Sequence, residues 1–238
     1  MFQIYPFGDS GLSIRFGKTI SSKTNQYIRS FSMLLREENT QGIVEWIPTF
    51  TSITIIYDSS ILSYHELKKR MTILLKKLVQ MKLPSAQLHI IPTCYEEEYA
   101  PDLSYVAKFN GLSKDEVIAI HTQPYYLIYM IGFTPGFPYL GGMSKRIATP
   151  RLSKPRMNTP AGSVGIAGEQ TGIYPLASPG GWQIIGRTPL KLFDPTNEHP
   201  FLLEAGNFIK FVQVDSSDYR KLEKEVEKGT YSYIIRDY

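Results

Sequence analysis

Three arginines stand in backbone that proline and glycine stiffen: Arg151 and Arg156 in TPRLSKPR, and Arg187 in GRTP. A guanidinium fork on fixed backbone loses little freedom when it takes a carboxylate or phosphate. These three are therefore candidates for anion contact, with Arg156 and Arg187 as catalytic groups and Arg151 as a binding group. Tyr139, Tyr174 and Trp182 are candidate pocket walls, each with an apolar face and a polar tip, although rings of this kind also fill cores. Ser163, on the glycine turn PAGSVG, has no base beside it and is a hydroxyl for a ligand or for its own turn rather than a nucleophile. Gln170 and Thr171 in GEQTG offer an amide and a hydroxyl that suit a lactam or amide. His121 ends a capped helix just ahead of this segment and is a catalytic candidate, its alternative being a C-terminal helix residue facing the dipole. The other histidines, His65, His89 and His199, are too widely spaced for a helical zinc pair, so no metal site is expected.

These groups share one segment. Between Gly132 and Pro189 lie 11 of the 18 glycines and 8 of the 16 prolines, interleaved with apolar runs and aromatics, which favours compact loops and short strands over disorder. Lys145, Arg146, Arg151, Lys154, Arg156 and Arg187 there face the single acid Glu169, as a pocket for a small anion requires. Neither a phosphate-binding G-x-x-x-x-G-K-[ST] loop nor a G-x-S-x-G elbow occurs.

Over 238 residues the net charge is only +4 and the basic residues are dispersed, which argues against nucleic acid. One cysteine, Cys94, rules out an internal disulfide framework and fits a reducing compartment. No apolar run approaches the ~20 residues that span a bilayer, and MFQIYPFGDSG lacks a signal pattern, so a cytoplasmic protein is expected.

The supporting elements read as two domains, 1–88 and 89–238. In the first, QIYPF and LSIRF are strands around a Gly-Asp-Ser-Gly turn, and Ile20, Tyr27, Ile28, Phe31, Leu34 and Leu35 mark a helix. IVEWIP and SITIIYD follow as strands. A second helix opens with a capping box at Ser63 and Glu66 and buries Leu67, Met71, Leu74, Leu75 and Leu78, and QLHIIP closes a β-β-α-β-β-α-β unit near Pro84 to Pro92. In the second domain one short helix is capped by Asp102 and buries Leu103, Val106 and Phe109; another opens with the box Ser113 to Glu116. YYLIYMI, SVGIAG, WQIIGRT, FLLEA and FIKFVQV read as strands, with a helix from Ser216 that turns Tyr219, Leu222 and Val226 to one side. The fold class is an α+β N-terminal domain followed by a mainly-β barrel.

The segments GFTPGFPYLGGM, PRLSKPR, PAGSVGIAGEQTGIYPLASPGGWQIIGRTP and LFDP resemble the B component of bacterial 5-oxoprolinase, a family also labelled allophanate hydrolase subunit 1. GDSGLSIRFG, WIPTFTSITIIYD and IPTCYEEEYAPDLSYVA extend the likeness over nearly the whole chain. The departures are Tyr99-Ala100-Pro101-Asp102, where the family commonly has glycine second, and Gly206-Asn207 in place of Gly-Asp. The resemblance implies a cyclophilin-like barrel as the second domain and ATP-dependent opening of the 5-oxoproline lactam to L-glutamate with partner A and C components. The ATP would be bound by, or shared with, those partners. It also implies two alternatives: inhibition of a sensor histidine kinase, as in one member of the family, or a component of urea carboxylase type acting with biotin.

Overall fold

The computed structural model describes residues 2–78 and 85–238 and divides into two compact units, Met1–Ser85 and Ala86–Tyr238.

In the first unit, strands β1 (Gln3–Phe7), β2 (Gly11–Arg15), β3 (Ile43–Pro48) and β4 (Ser52–Tyr57) form one antiparallel sheet in the order β1-β2-β4-β3. Helices α1 (Ser22–Glu38) and α2 (Tyr64–Leu78) supply the apolar stripes that cover it. The alternating pattern of β4 buries Ile53, Ile55 and Tyr57, which join Leu12 and Ile14 of β2 with Phe31, Leu35, Leu67 and Met71 of the helices in one core. Ser63 and Glu66 cap α2 reciprocally, each backbone N–H donating to the other's side-chain oxygen at 3.1 and 3.3 Å. Ile20 falls outside the helical stripe: it precedes α1 and is 56% exposed.

The second unit is built on an eight-stranded sheet. Its strands are β5 (Gln87–Cys94), β6 (Tyr126–Ile131), β7 (Pro138–Gly141), β9 (Ser163–Ala167), β10 (Gln170–Ile173), β12 (Gln183–Arg187), β13 (Phe208–Val214) and β14 (Ile235–Asp237). They run in the order β10-β9-β12-β5-β13-β6-β7, with β14 also paired to β5, and β7 lies against β10, so the sheet curls into a nearly closed barrel. Strands β8 (Arg156–Thr159) and β11 (Ser178–Gly180) form a separate ribbon. Helices α3 (Leu103–Phe109), α4 (Lys114–Thr122) and α5 (Ser216–Glu227) complete the unit.

Four further expectations change. QLHIIP does not close the first sheet: it is β5, whose backbone hydrogen bonds are taken by β12, β13 and β14 of the second unit and whose faces are both buried there. FLLEA is not a strand; it makes one isolated bridge, Phe193 to Phe201. Phe109 is 52% exposed, and Ala107 takes its place in the core beside Leu103 and Val106. Asp102 sits at the N-cap of α3 but makes no side-chain cap bond, its carboxylate being engaged elsewhere.

Candidate functional site

The glycines of the Gly/Pro-rich segment bring rings onto backbone. A Cβ at Gly172 would meet Phe137 Cζ at 3.0 Å and Trp182 Cζ3 at 3.1 Å, and one at Gly180 would meet the Tyr174 hydroxyl at 2.5 Å. The bare strands thus admit a cluster in which Trp182 and Tyr174 meet Phe137 edge-on at 5.5 and 5.8 Å, with half-buried Tyr139 packed beside them. Burial raises the ionisation range of the Tyr174 phenol, so it stays a neutral donor.

Two arginines border this cluster. Arg151 is exposed and its guanidinium stands 5.8 Å from the Trp182 ring centre, a cation–π arrangement. Arg156 donates from Nη2 to Asp102 Oδ1 at 2.6 Å and from Nη1 to Trp182 O at 3.3 Å. The second Asp102 oxygen accepts the Ile184 N–H at 2.6 Å, and the Asp102 N–H returns a bond to Ile184 O at 2.9 Å. The carboxylate therefore ties α3 to β12 and fixes Arg156 in one orientation. Of the five guanidinium N–H groups only part are used, and the side chain keeps 30% exposure, so the remainder can meet an anion. Nothing in the sequence shows this pairing, because an aspartate ahead of a helix reads as a cap.

Arg187 lies in other surroundings. Its Nε donates to Ala161 O at 2.9 Å, and it borders a cleft against α5. The cations of the segment are otherwise partly spent: Lys145 pairs with Glu169 at 3.0 Å across exposed surface.

His121, Thr171 and Ser163 are inside the barrel wall rather than in a pocket, at 0%, 1% and 2% exposure. The Thr171 hydroxyl gives its one proton to Gly165 O at 3.0 Å, so at the 2.9 Å contact the His121 Nε2–H must be the donor. Nδ1 is then the acceptor, from the Tyr95 hydroxyl at 2.8 Å. The chain Tyr95, His121, Thr171, Gly165 carries one fixed direction of protons and joins the residue after β5 to α4, β10 and β9. With its hydroxyl committed, Thr171 has no proton left for a lactam. Gln170, half-buried at the β9–β10 turn, faces Ala167 in the strand register.

Burial without a charged partner lowers the His121 pKa from 6.5 to about 3. Between these values the unfolded chain binds a proton that the folded chain refuses, so stability is complete above pH 6.5 and falls as the pH drops towards 3. At pH 4.5 this one residue is expected to remove about 2–3 kcal/mol. Urea midpoints from pH 7 to 4 test it: His121→Gln should be less stable at pH 7 yet show a shallower acid slope than the parent, and equal slopes would refute the assignment.

The aromatic type of Phe133 is evident in the sequence, its geometry only in the fold: its backbone has φ of 70° and its side chain is 74% exposed, edge-on to Phe137 at 5.8 Å.

The family described as carboxyltransferase domain, subdomain C and D, matches residues 2–203. The B component of 5-oxoprolinase from Bacillus subtilis (strain 168) is 45% identical over 234 residues, which cover 94% of this chain and 98% of that protein. This chain belongs to the family of 5-oxoprolinase B components. A second such component, from Haemophilus influenzae, is 39% identical over 209 residues, covering 88% of this chain and 96% of that one. Among solved structures, TTHA0988 superposes with a TM-score of 0.78 at 35% identity over 91% of this chain, which spans only 41% of that longer polypeptide. Among the described residues no helix is long and apolar enough to cross a membrane.

Proposed function

We propose that this chain is the B component of an ATP-dependent 5-oxoprolinase that opens the 5-oxoproline lactam to L-glutamate together with A and C components, and that it is inactive alone. The match to the Bacillus subtilis B component over 98% of that protein carries this reading, because it runs through both units rather than one shared module. We read the second unit as a cyclophilin-like barrel, in keeping with its curled sheet.

Within the barrel, the edge formed by Arg151, Arg156 and Trp182 is the place for the substrate carboxylate. Arg156 is held from behind by Asp102 and Arg151 closes from the front, while Trp182, itself buried, backs the Arg151 guanidinium rather than facing the ligand. His121 and Thr171 act at one remove: their fixed hydrogen bonds set β9 and β10, the strands on which the rings pack.

Four glycines of the segment, Gly162, Gly165, Gly172 and Gly180, do not form a phosphate cradle. A phosphate cradle needs bare backbone N–H groups open to the ligand, whereas Gly165, Gly172 and Gly180 are closed over by Trp182, Phe137 and Tyr174, and Gly162 by Thr188 O. ATP is therefore assigned to the partner components.

Reconstitution tests the reading. The chain combined with its A and C partners is expected to release glutamate and ADP from 5-oxoproline, and full turnover without the chain would overturn it. Arg151→Ala, on the exposed edge, is expected to raise KM for 5-oxoproline about tenfold with the circular dichroism unchanged, the loss of one charged hydrogen bond. An unaltered KM would remove this edge from the site.

A further inference from the structure

We propose that the cleft between α5 and the segment that follows β12 binds an acidic α-amino acid in its zwitterionic form. The cleft has a volume of about 160 Å³ and lies wholly within the second unit. That is below the ~300–1,000 Å³ of drug-sized ligand sites, so an occupant must be smaller than a nucleotide.

Its charges are the reason for the choice of ligand. Arg187 and Lys191 line one side, Glu223 and Glu227 the other, the latter two spaced by one helical turn from each other and from Tyr219 along α5. A simple anion would be repelled by the two glutamates and a simple cation by Arg187 and Lys191. A molecule bearing both signs satisfies both walls.

Among the described residues these four form no ion pair with one another within 4 Å, although Lys221 on the same helix pairs with Asp218 at 3.0 Å. Opposite charges that border one concavity and stop short of contact leave a gap for a bridging ligand. The groups are also partly preset. Arg187 is fixed through Nε by Ala161 O, which leaves its terminal N–H edge for a carboxylate. Glu223 is half-buried beside Tyr219, whose ring is 1% exposed, so the floor is rigid. Gly162, Pro175 and Leu190 supply an apolar floor for the methylene groups.

The assignment is of an α-carboxylate to Arg187, an ammonium to Glu223 and Glu227, and the side-chain carboxylate to Lys191. Its biological meaning rests on the 5-oxoprolinase reading. Lactam opening converts a molecule with one carboxylate and no ammonium into one with two carboxylates and an ammonium, so this cleft would hold product and pass over substrate.

The test is a nitrogen–proton correlation NMR titration of the full chain alone with L-glutamate, N-acetyl-L-glutamate and 5-oxoproline. L-Glutamate is expected to saturate with a Kd on the order of 1 mM, corresponding to a weak site. The shifts should centre on Gly162, Arg187 to Lys191 and α5. The two ligands without an ammonium should bind at least about tenfold more weakly. Glu223→Gln, which keeps the side-chain shape, should weaken L-glutamate about tenfold while leaving the unliganded spectrum otherwise unchanged. Equal affinity for N-acetyl-L-glutamate, shifts centred on Trp182 and Arg151 instead, or no saturation by L-glutamate would each overturn the proposal. Because the titration involves no turnover, a failed reconstitution alongside a saturating titration would sink the 5-oxoprolinase reading and leave the site standing; the reverse result would do the opposite.

Discussion

Asp102→Ala is expected to destabilise the chain by about 3–4 kcal/mol and to unseat Arg156. The substitution removes two contacts at once. It leaves the buried Ile184 N–H without its 2.6 Å acceptor, and it strips the partner from a guanidinium that is mostly out of water. Asp102→Asn separates the effects: one amide oxygen can still accept from either Arg156 or Ile184, so the loss should fall to about half. In the reconstituted complex Asp102→Ala is expected to raise KM more than it lowers kcat, since Arg156 would keep its charge and lose its aim. Urea denaturation combined with an Arg156→Lys cycle measures the coupling; additive effects would show that the pair does not act together.

Gly162→Ala is expected to cost about 4 kcal/mol, whereas Gly168→Ala, only six positions on, should cost about 1 kcal/mol. Both glycines have positive φ, 79° and 60°. The difference is in what a methyl would meet. At Gly162 it would lie 2.2 Å from the Thr188 carbonyl oxygen, which cannot step aside because Thr188 N–H donates to Gly162 O and Gly162 N–H donates to Tyr174 O. At Gly168, on the exposed β9–β10 turn, nothing stands within 4 Å. Side-by-side urea midpoints decide the matter. Similar losses at both sites would mean that backbone conformation, rather than the closed space, sets the cost.

The helices of this protein are legible in its sequence because period and capping are local. The boxes at Ser63 and Ser113 form as spaced, and the stripes Leu67-Met71-Leu74 and Ile28-Phe31-Leu35 are buried as their intervals require. Strands β9, β12 and β13 can be read from their apolar runs. Their partners cannot, since a run buried on both faces does not say which sheet it joins; β5 is such a run, and its pairings put it in the barrel. The site is half visible. Guanidinium groups on stiff backbone mark Arg151 and Arg156, and the aromatic types mark Trp182 and Tyr174, but the structure separates Arg187 from them. His121 and Thr171 are polar groups near the right segment whose hydrogen bonds turn inward. The role of Asp102 escapes a sequence reading because its partner is 54 residues away. Glycines at this density suggest loops opening a pocket, and instead the rings of Phe137, Tyr174 and Trp182 fill the space that the missing side chains leave.

The position of β5 bears on how the protein is made. The strand leaves the ribosome directly after the first unit, with six of its eight residues destined for burial, yet its parallel partner Phe208–Val214 is translated more than a hundred residues later and its edge partner Ile235–Asp237 later still. At ~5–20 residues per second the nascent strand waits roughly 6–23 s for its parallel partner, with only the pairing of Cys94 to Arg187 of β12 available sooner. During that interval the first unit, whose sheet and helices are all encoded before Ala86, can fold by itself, while the barrel cannot. Stop codons within α5 would therefore leave β5 without β14 at one edge, and chaperone demand during synthesis should fall on the stretch between the two units' completion.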